Sequence, residues 1–162
     1  RMALIFGASA GNDLSLPEDK IRGMRNFTNK LWNMGRFIEM NNKNFDLKLI
    51  ELSKLEKIAK TENDKKIING VGELAKKVTK HLEKYELNLA AEALYEFTWH
   101  EFADKYIEDV KTRIDEDSFR VLNSLYLIQL KLLHPFMPFI TEEIFGKFTG
   151  NNLITDKWPF SR

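Results

Sequence analysis

The sequence predicts an all-α protein, an antiparallel helical bundle, and three observations predict it. Apolar residues recur at steps of three and four along most of the chain, the period of a buried helical face. No stretch alternates long enough for a sheet, and no repeat or low-complexity tract interrupts the pattern. The breaks between periodic stretches are short and polar, as neighbouring antiparallel helices require.

Composition agrees with a single globular domain. The 162 residues are 43% hydrophobic and 30% charged, too apolar for a disordered chain and long enough for a sizeable core. No apolar run approaches the ~20 residues of a membrane span. Cysteine is absent, which excludes disulfides and thiolate metal sites and fits a reducing compartment.

The chain opens on "RMALIFGASAG". Met2 to Phe6 is shorter than the roughly 7–15 apolar residues of a signal-peptide core, and Gly and Ser interrupt the stretch from Gly7 to Gly11. Residues 1–14 are expected to be a remnant of a connection to a part not in the chain. The apolar side chains of Met2 to Ala10 should then be mobile, or pack on the bundle or a neighbouring molecule. Residues 15–150 should form the helical domain, and 151–162 an extended tail.

"SLPE", Ser15 to Glu18, has the residues of a capping box, with Pro17 tolerated in a first turn. A first helix should run from Leu16 to about Met40 and bury Met24, Phe27, Leu31, Met34 and Ile38. Gly23 and Gly35 lie inside it, each costing roughly 1 kcal/mol relative to Ala, and should mark close approach by another backbone. "NNKN", Asn41 to Asn44, ends it. A short second helix is expected between Phe45 and Thr61, on Leu49, Leu52, Leu55 and Ile58. Asp64 should cap a third, with Ile67, Val71, Leu74, Val78 and Leu82 inward and Lys76, Lys77, Lys80 and Lys84 outward.

Asn88 should cap a fourth helix reaching about Lys111. Ala90, Ala93, Leu94, Phe97, Phe102, Tyr106 and Val110 make it apolar over much of its circumference, as a central element would be. A fifth helix is expected from Ser118 to Leu133, with Leu122, Leu125, Gln129 and Leu132 along one side. After the prolines of "HPFMPF", a short last helix through Ile140, Ile144 and Phe148 ends at "GNN". Phe27, Leu31, Phe97, Leu125 and Leu132 should all be buried.

Catalytic residues are sparse. His81, His100 and His134 are widely spaced; His100 should border the core and His134 end a helix. "HEFAD", His100 to Asp104, misses the zinc-binding H-E-x-x-H by its last residue, so no metal is expected. The eight glycines are scattered, with no phosphate-cradling loop.

Local charge is more informative. The whole chain balances 25 Lys+Arg against 24 Asp+Glu, but from Lys20 to Ile38 there are five cations and no acid. These are Lys20, Arg22, Arg25, Lys30 and Arg36. Beside the inward row, Asn26, Lys30, Asn33 and Phe37 align, flanked by Arg22, Arg25, Asn29 and Arg36. Cations meet phosphates, amides read base edges and a ring stacks on an unpaired base, so the pattern suits single-stranded nucleic acid. It also suits a solvated face, with Phe37 and Trp32 extending the core stripe.

"KIRGMRNFTNKLWNMGRFI" resembles the first anticodon-domain helix of the valyl-tRNA synthetases, class I aminoacyl-tRNA synthetases. "RMALIFGASAGNDLSL", "LEKYELNLAAEALYEFTWHEFADKYIE", "LHPFMPFITEEIF" and "DKWP" resemble further landmarks in the family's order. The likeness is weakest from Asn41 to Lys66, and Phe145 stands where the family usually has Trp. The resemblance implies a parent enzyme that joins valine to its tRNA with ATP and magnesium and clears mischarged threonyl-tRNA. Neither a HIGH nor a KMSKS motif occurs, so this part should bind the anticodon loop of a valine tRNA, need no cofactor itself and be inactive alone. The implied partners are that tRNA and the catalytic domain of the same polypeptide, in a monomeric cytoplasmic enzyme away from membranes. The implied tRNA-binding residues are Arg22, Arg25, Asn26, Asn29, Lys30, Asn33, Arg36 and Phe37. An isoleucyl-type anticodon domain and a helical protein-interaction module with a basic face are the alternatives.

Overall fold

The computed structural model describes residues 1–8, 15–42 and 50–159. These fold as helices packed around one continuous core, and no strand occurs among them. The predicted all-α bundle is what forms.

The opening segment packs on the bundle, one of its three expected fates, while Ser9 and Ala10 lie outside the described residues. Helix α1, Met2–Ile5, buries Met2, and the Phe6 ring meets Tyr95 edge-on at 5.1 Å. Arg1 Nη1 donates to the Pro135 carbonyl at 3.0 Å.

Helix α2, Glu18–Asn42, starts two residues later than the capping-box reading places it. The Pro17 carbonyl accepts from the amides of Lys20 and Ile21, so Pro17 precedes the first helical residue. Phe27, Leu31, Met34 and Ile38 are buried and Met24 is half-buried, so the inward row is as predicted. The two glycines differ from expectation. A Cβ on Gly23 would meet nothing within 4 Å. One on Gly35 would sit 3.0 Å from the Tyr126 hydroxyl and 3.4 Å from Ile144, which are side chains rather than backbone. That hydroxyl donates to the Leu31 carbonyl at 2.7 Å, so Gly35 clears its path.

The second predicted helix is a single turn, α3, Leu52–Leu55, where the described residues resume; Leu49 lies outside them. Helix α4, Glu62–Glu83, is capped by Thr61 rather than Asp64. The Thr61 hydroxyl accepts from the Asp64 amide at 3.1 Å, and the Asp64 carboxylate accepts from the Thr61 amide at 3.0 Å. The acid is the reciprocal half of a capping box. Ile67, Val71, Leu74 and Val78 are buried as predicted.

The fourth predicted helix is one continuous rod with an unpredicted middle. Helix α5, Leu87–Glu96, runs into a π-helix, Phe97–Ile107, and then into α6, Glu108–Lys111. Glu86 rather than Asn88 precedes its first turn, after Tyr85 takes a left-handed φ of 60°. Phe97 is half-buried, not fully buried as expected, and its ring lies against Gly70 of α4.

The central element is α7, Glu116–Leu133, rather than that rod. Every residue from Val121 to Leu130 is buried, because α2, α4, α5 and α8 surround it. Helix α8, Pro138–Thr149, ends at Gly150, whose φ of 71° suits glycine. The tail is not wholly extended: Leu153–Thr155 forms a 3₁₀ turn, and Trp158 Nε1 donates to Thr79 Oγ1 at 2.9 Å. Among the described residues, no helix is long and apolar enough to cross a membrane.

Candidate nucleic-acid interface

With its apolar row on the core, α2 turns its amides and Lys30 towards the rod. A cleft of about 420 Å³ lies between them. Asn26, Asn29, Lys30, Asn33, Met34 and Phe37 of α2 form one wall. Ala103, Asp104 and Ile107 of the π-helix, with Glu108 and Lys111 of α6, form the other. Five of the eight predicted site residues are thus brought together.

Their chemical states differ. Asn26, Asn29 and Asn33 are exposed, and their side-chain amides are held by none of the described residues. Each offers two N–H donors and a carbonyl acceptor to whatever enters. Lys30 is engaged: its Nζ donates to Asp104 Oδ1 at 2.5 Å and lies 4.1 Å from the centre of the Trp99 ring. Phe37 combines the two sequence readings. It packs against the core, 5.8 Å from the Phe119 ring, and Lys111 Nζ lies 5.6 Å over it, yet it still borders the cleft.

The arginines stand outside the cleft. Arg22 pairs loosely with Asp19 at 3.8 Å across an exposed turn. Arg25 and Arg36 are exposed and form no ion pair among the described residues. Arg36 borders a groove with Trp32 and Lys147 on the α8 side of α2, and the exposure of both arginines suits phosphates better than bases. Trp32 turns to the opposite side of α2, where Lys147 of α8 covers it at 4.2 Å.

A second polar cluster lies where the same end of the rod meets α4. Asp64, 1% exposed, accepts from Tyr106 Oη at 2.8 Å and from both terminal nitrogens of Arg113 at 2.5 and 3.2 Å. Burial opposes ionisation of Asp64, but Arg113, Tyr106 and Thr61 outweigh it and hold the carboxyl below the usual range. Burial and Asp64 together push the Tyr106 phenol well above its ordinary value. Asp64 is enclosed by these partners, so the cluster is a fastening between α4, the π-helix and the turn that follows α6.

The histidines correct one expectation. His100 is exposed rather than bordering the core, with Glu96 and Asp104 each 3.6 Å away. His134 follows the end of α7 as expected, its Nδ1 2.8 Å from Thr141 Oγ1. Among the described residues, no cluster of three potential metal ligands exists.

The opposite wall of the cleft is missing from the sequence reading. Asp104, Glu108 and Lys111 are spaced at four and three and would share a face of an α-helix, but the π-helix changes the phase that such a count assumes. A signal for it is present: Phe97 to Phe102 is a step of five, the spacing bridged by a π-helical hydrogen bond.

Comparison with known proteins complements this geometry. The family model described as the anticodon-binding domain of tRNA ligase matches residues 64–162. The valine–tRNA ligases of Fusobacterium nucleatum and Clostridium tetani are each 41% identical to this chain over 98% of its length. That of Carboxydothermus hydrogenoformans is 39% identical over all of it. The chain spans 19% of the length of each of these relatives. The family-model match begins after α2, but the alignments to whole relatives extend over nearly the entire chain.

Proposed function

The chain belongs to the anticodon-binding domain family of tRNA ligases, and on that premise we propose that it is the anticodon-binding part of a valine–tRNA ligase. Its cleft takes the anticodon loop of a valine tRNA. The carrying observation is the wall of α2, where three uncommitted amides and the border of an aromatic ring line a cleft beside unpaired arginines. Asn26, Asn29 and Asn33 meet base edges, Phe37 offers its ring to an unpaired base, and Arg22, Arg25 and Arg36 meet the backbone phosphates. Lys30 contributes only what its ion pair leaves free.

The chemistry belongs to the rest of such an enzyme, a catalytic domain that uses ATP and magnesium in the cytoplasm. This part is taken to need no nucleotide of its own. Gly70 and Gly72 lie inside α4 against Phe97 and Leu52, not in a phosphate-binding loop. Alone, the chain should support no valine-dependent pyrophosphate exchange above a buffer blank.

Binding tests the reading directly. The chain should prefer stem-loops carrying valine anticodons over loops of equal size with unrelated anticodons. Its affinity should fall with salt, by a slope of about 0.7 per phosphate neutralised on a single strand. Equal affinity for every loop would overturn the anticodon reading and favour a basic face with no sequence preference.

A further inference from the structure

The cleft is lined by two carboxylates, groups that a surface made only for phosphates would exclude: Glu108, paired with Lys111 of its own helix at 2.6 Å, and Asp104. Its Oδ1 is held by Lys30 Nζ at 2.5 Å, and Lys30 is itself seated on the Trp99 ring. The ion pair bridges the π-helix to α2 and fixes the carboxylate in one place. The Asp104 side chain remains 49% exposed, against 23% for Lys30. His100 Nδ1 lies 3.6 Å from Oδ2, beyond hydrogen-bond length. One oxygen of a fixed carboxylate is therefore available beside the amides of Asn26, Asn29 and Asn33.

We propose that Asp104 is a base-reading residue that accepts a hydrogen bond from an exocyclic amine of the anticodon, with Lys30 and Trp99 as its positioning residues. An ionised carboxylate only accepts. Cytosine and adenine present an amine on their pairing edges, whereas uracil and guanine present a carbonyl oxygen at the equivalent place, which meets the carboxylate as acceptor against acceptor. An amide such as Asn33 can turn to satisfy either kind of base; Asp104 cannot. The inference rests on the anticodon reading above and deepens it. All valine codons begin G-U, so the last two anticodon bases are A and C, both amine-bearing. Isoleucine codons begin A-U, which places U last. A carboxylate facing that last base separates the two sets by rejecting U.

The test measures affinities of the chain and of Asp104→Asn for two stem-loops, one with a valine anticodon and one with its last C changed to U. The unaltered chain should prefer C by about tenfold, the order of one good base contact. Asp104→Asn can donate to the uracil carbonyl, so the ratio should collapse towards one, chiefly because the U loop binds more tightly. Lys30→Arg keeps the ion pair and should keep the ratio, whereas Lys30→Met frees the carboxylate and should lower it. An unchanged ratio in Asp104→Asn overturns the proposal while leaving the anticodon reading in place. A chain with no preference between valine and unrelated loops overturns both.

Discussion

Two polar regions flank the same rod, and they are built on opposite terms. At Asp64 every strong acceptor position is answered from inside the protein, by Arg113, Tyr106 and the amides of Lys60 and Thr61. At the cleft, Asn26, Asn29 and Asn33 are answered by none of the described residues. A buried charge stripped of its partner is costly, whereas an exposed amide loses little by exchanging water for a base edge. The first arrangement can only fasten the fold. The second leaves its hydrogen-bonding capacity for something that arrives. Lys30 and Asp104 stand between the two, tied to each other but half open to the cleft.

The sharpest way to break this contrast is at Asp64. Asp64→Ala strips the buried Tyr106 hydroxyl of its acceptor and Arg113 of one of its two carboxylates, Asp109 remaining at 2.8 Å, and should cost about 2–3 kcal/mol. At ~2–4 °C per kcal/mol for a chain of this size, the melting temperature should fall on the order of 10 °C. Below that temperature, relative affinities among loops should not change. A shift in those affinities would mean that the fastening also shapes the cleft.

Phe37→Ala tests the residue that belongs to both regions. Half-buried, it should cost about 2 kcal/mol of stability, less than the roughly 3–5 of a fully buried Phe. It should also weaken loop binding by ~1–3 kcal/mol per stacked base. Lost stability with unchanged loop preference would place Phe37 with the core alone.

Acid titration approaches the fastening by another route. The carboxyl of Asp64 titrates below its unfolded value, so its contribution to stability is complete above about pH 4. That contribution is lost as pH falls through the folded value. Asp115 and Asp156 are lowered too, despite partial burial, by Ser118 and Lys60 and by Lys131 respectively. Thermal unfolding between pH 5 and 2 should show a steep decline that is shallower in Asp64→Asn. Equal slopes would show that Asp64 titrates alike in the folded and unfolded chains.

The smallest stability effects should come from the cleft's exposed side chains. Asn33→Ala and Arg25→Ala should each stay within about 0.5 kcal/mol of the parent in stability. They should part in binding. Asn33→Ala relaxes discrimination among loops, whereas Arg25→Ala weakens all loops alike and lowers the salt slope by about 0.7. If both changes act alike on every loop, the amide row carries no sequence information.

Legibility in the sequence obeys the same division. The inward rows of α2 and α4 are read correctly because a buried face must repeat at the helical period. One wall of the cleft is legible for a related reason: Asn26, Lys30, Asn33 and Phe37 adjoin a row whose orientation the core determines. The opposite wall is not legible, since the π-helix alters the phase and the Lys30–Asp104 pair joins residues 74 positions apart. Asp64 reads as a cap because its local partner, Thr61, is three residues away, while Arg113 lies 49 residues away. Gly35 shows the same limit: the Tyr126 hydroxyl that requires it comes from another helix.

The π-helix of Phe97–Ile107 bears on how such a chain tolerates insertions and deletions. Each of its hydrogen-bonded rings spans one residue more than an α-turn does. A deletion within this stretch can therefore be absorbed by tightening a wide turn into an ordinary one, leaving the rod unbroken. Because the wide turn holds one residue more than an α-turn over the same rotation, α6 beyond the deletion keeps its phase. Glu108 and Lys111 would keep their places in the cleft, and only side chains beside the deletion would shift. Length variation here alters the middle of one wall and leaves both the bundle and the end of that wall standing.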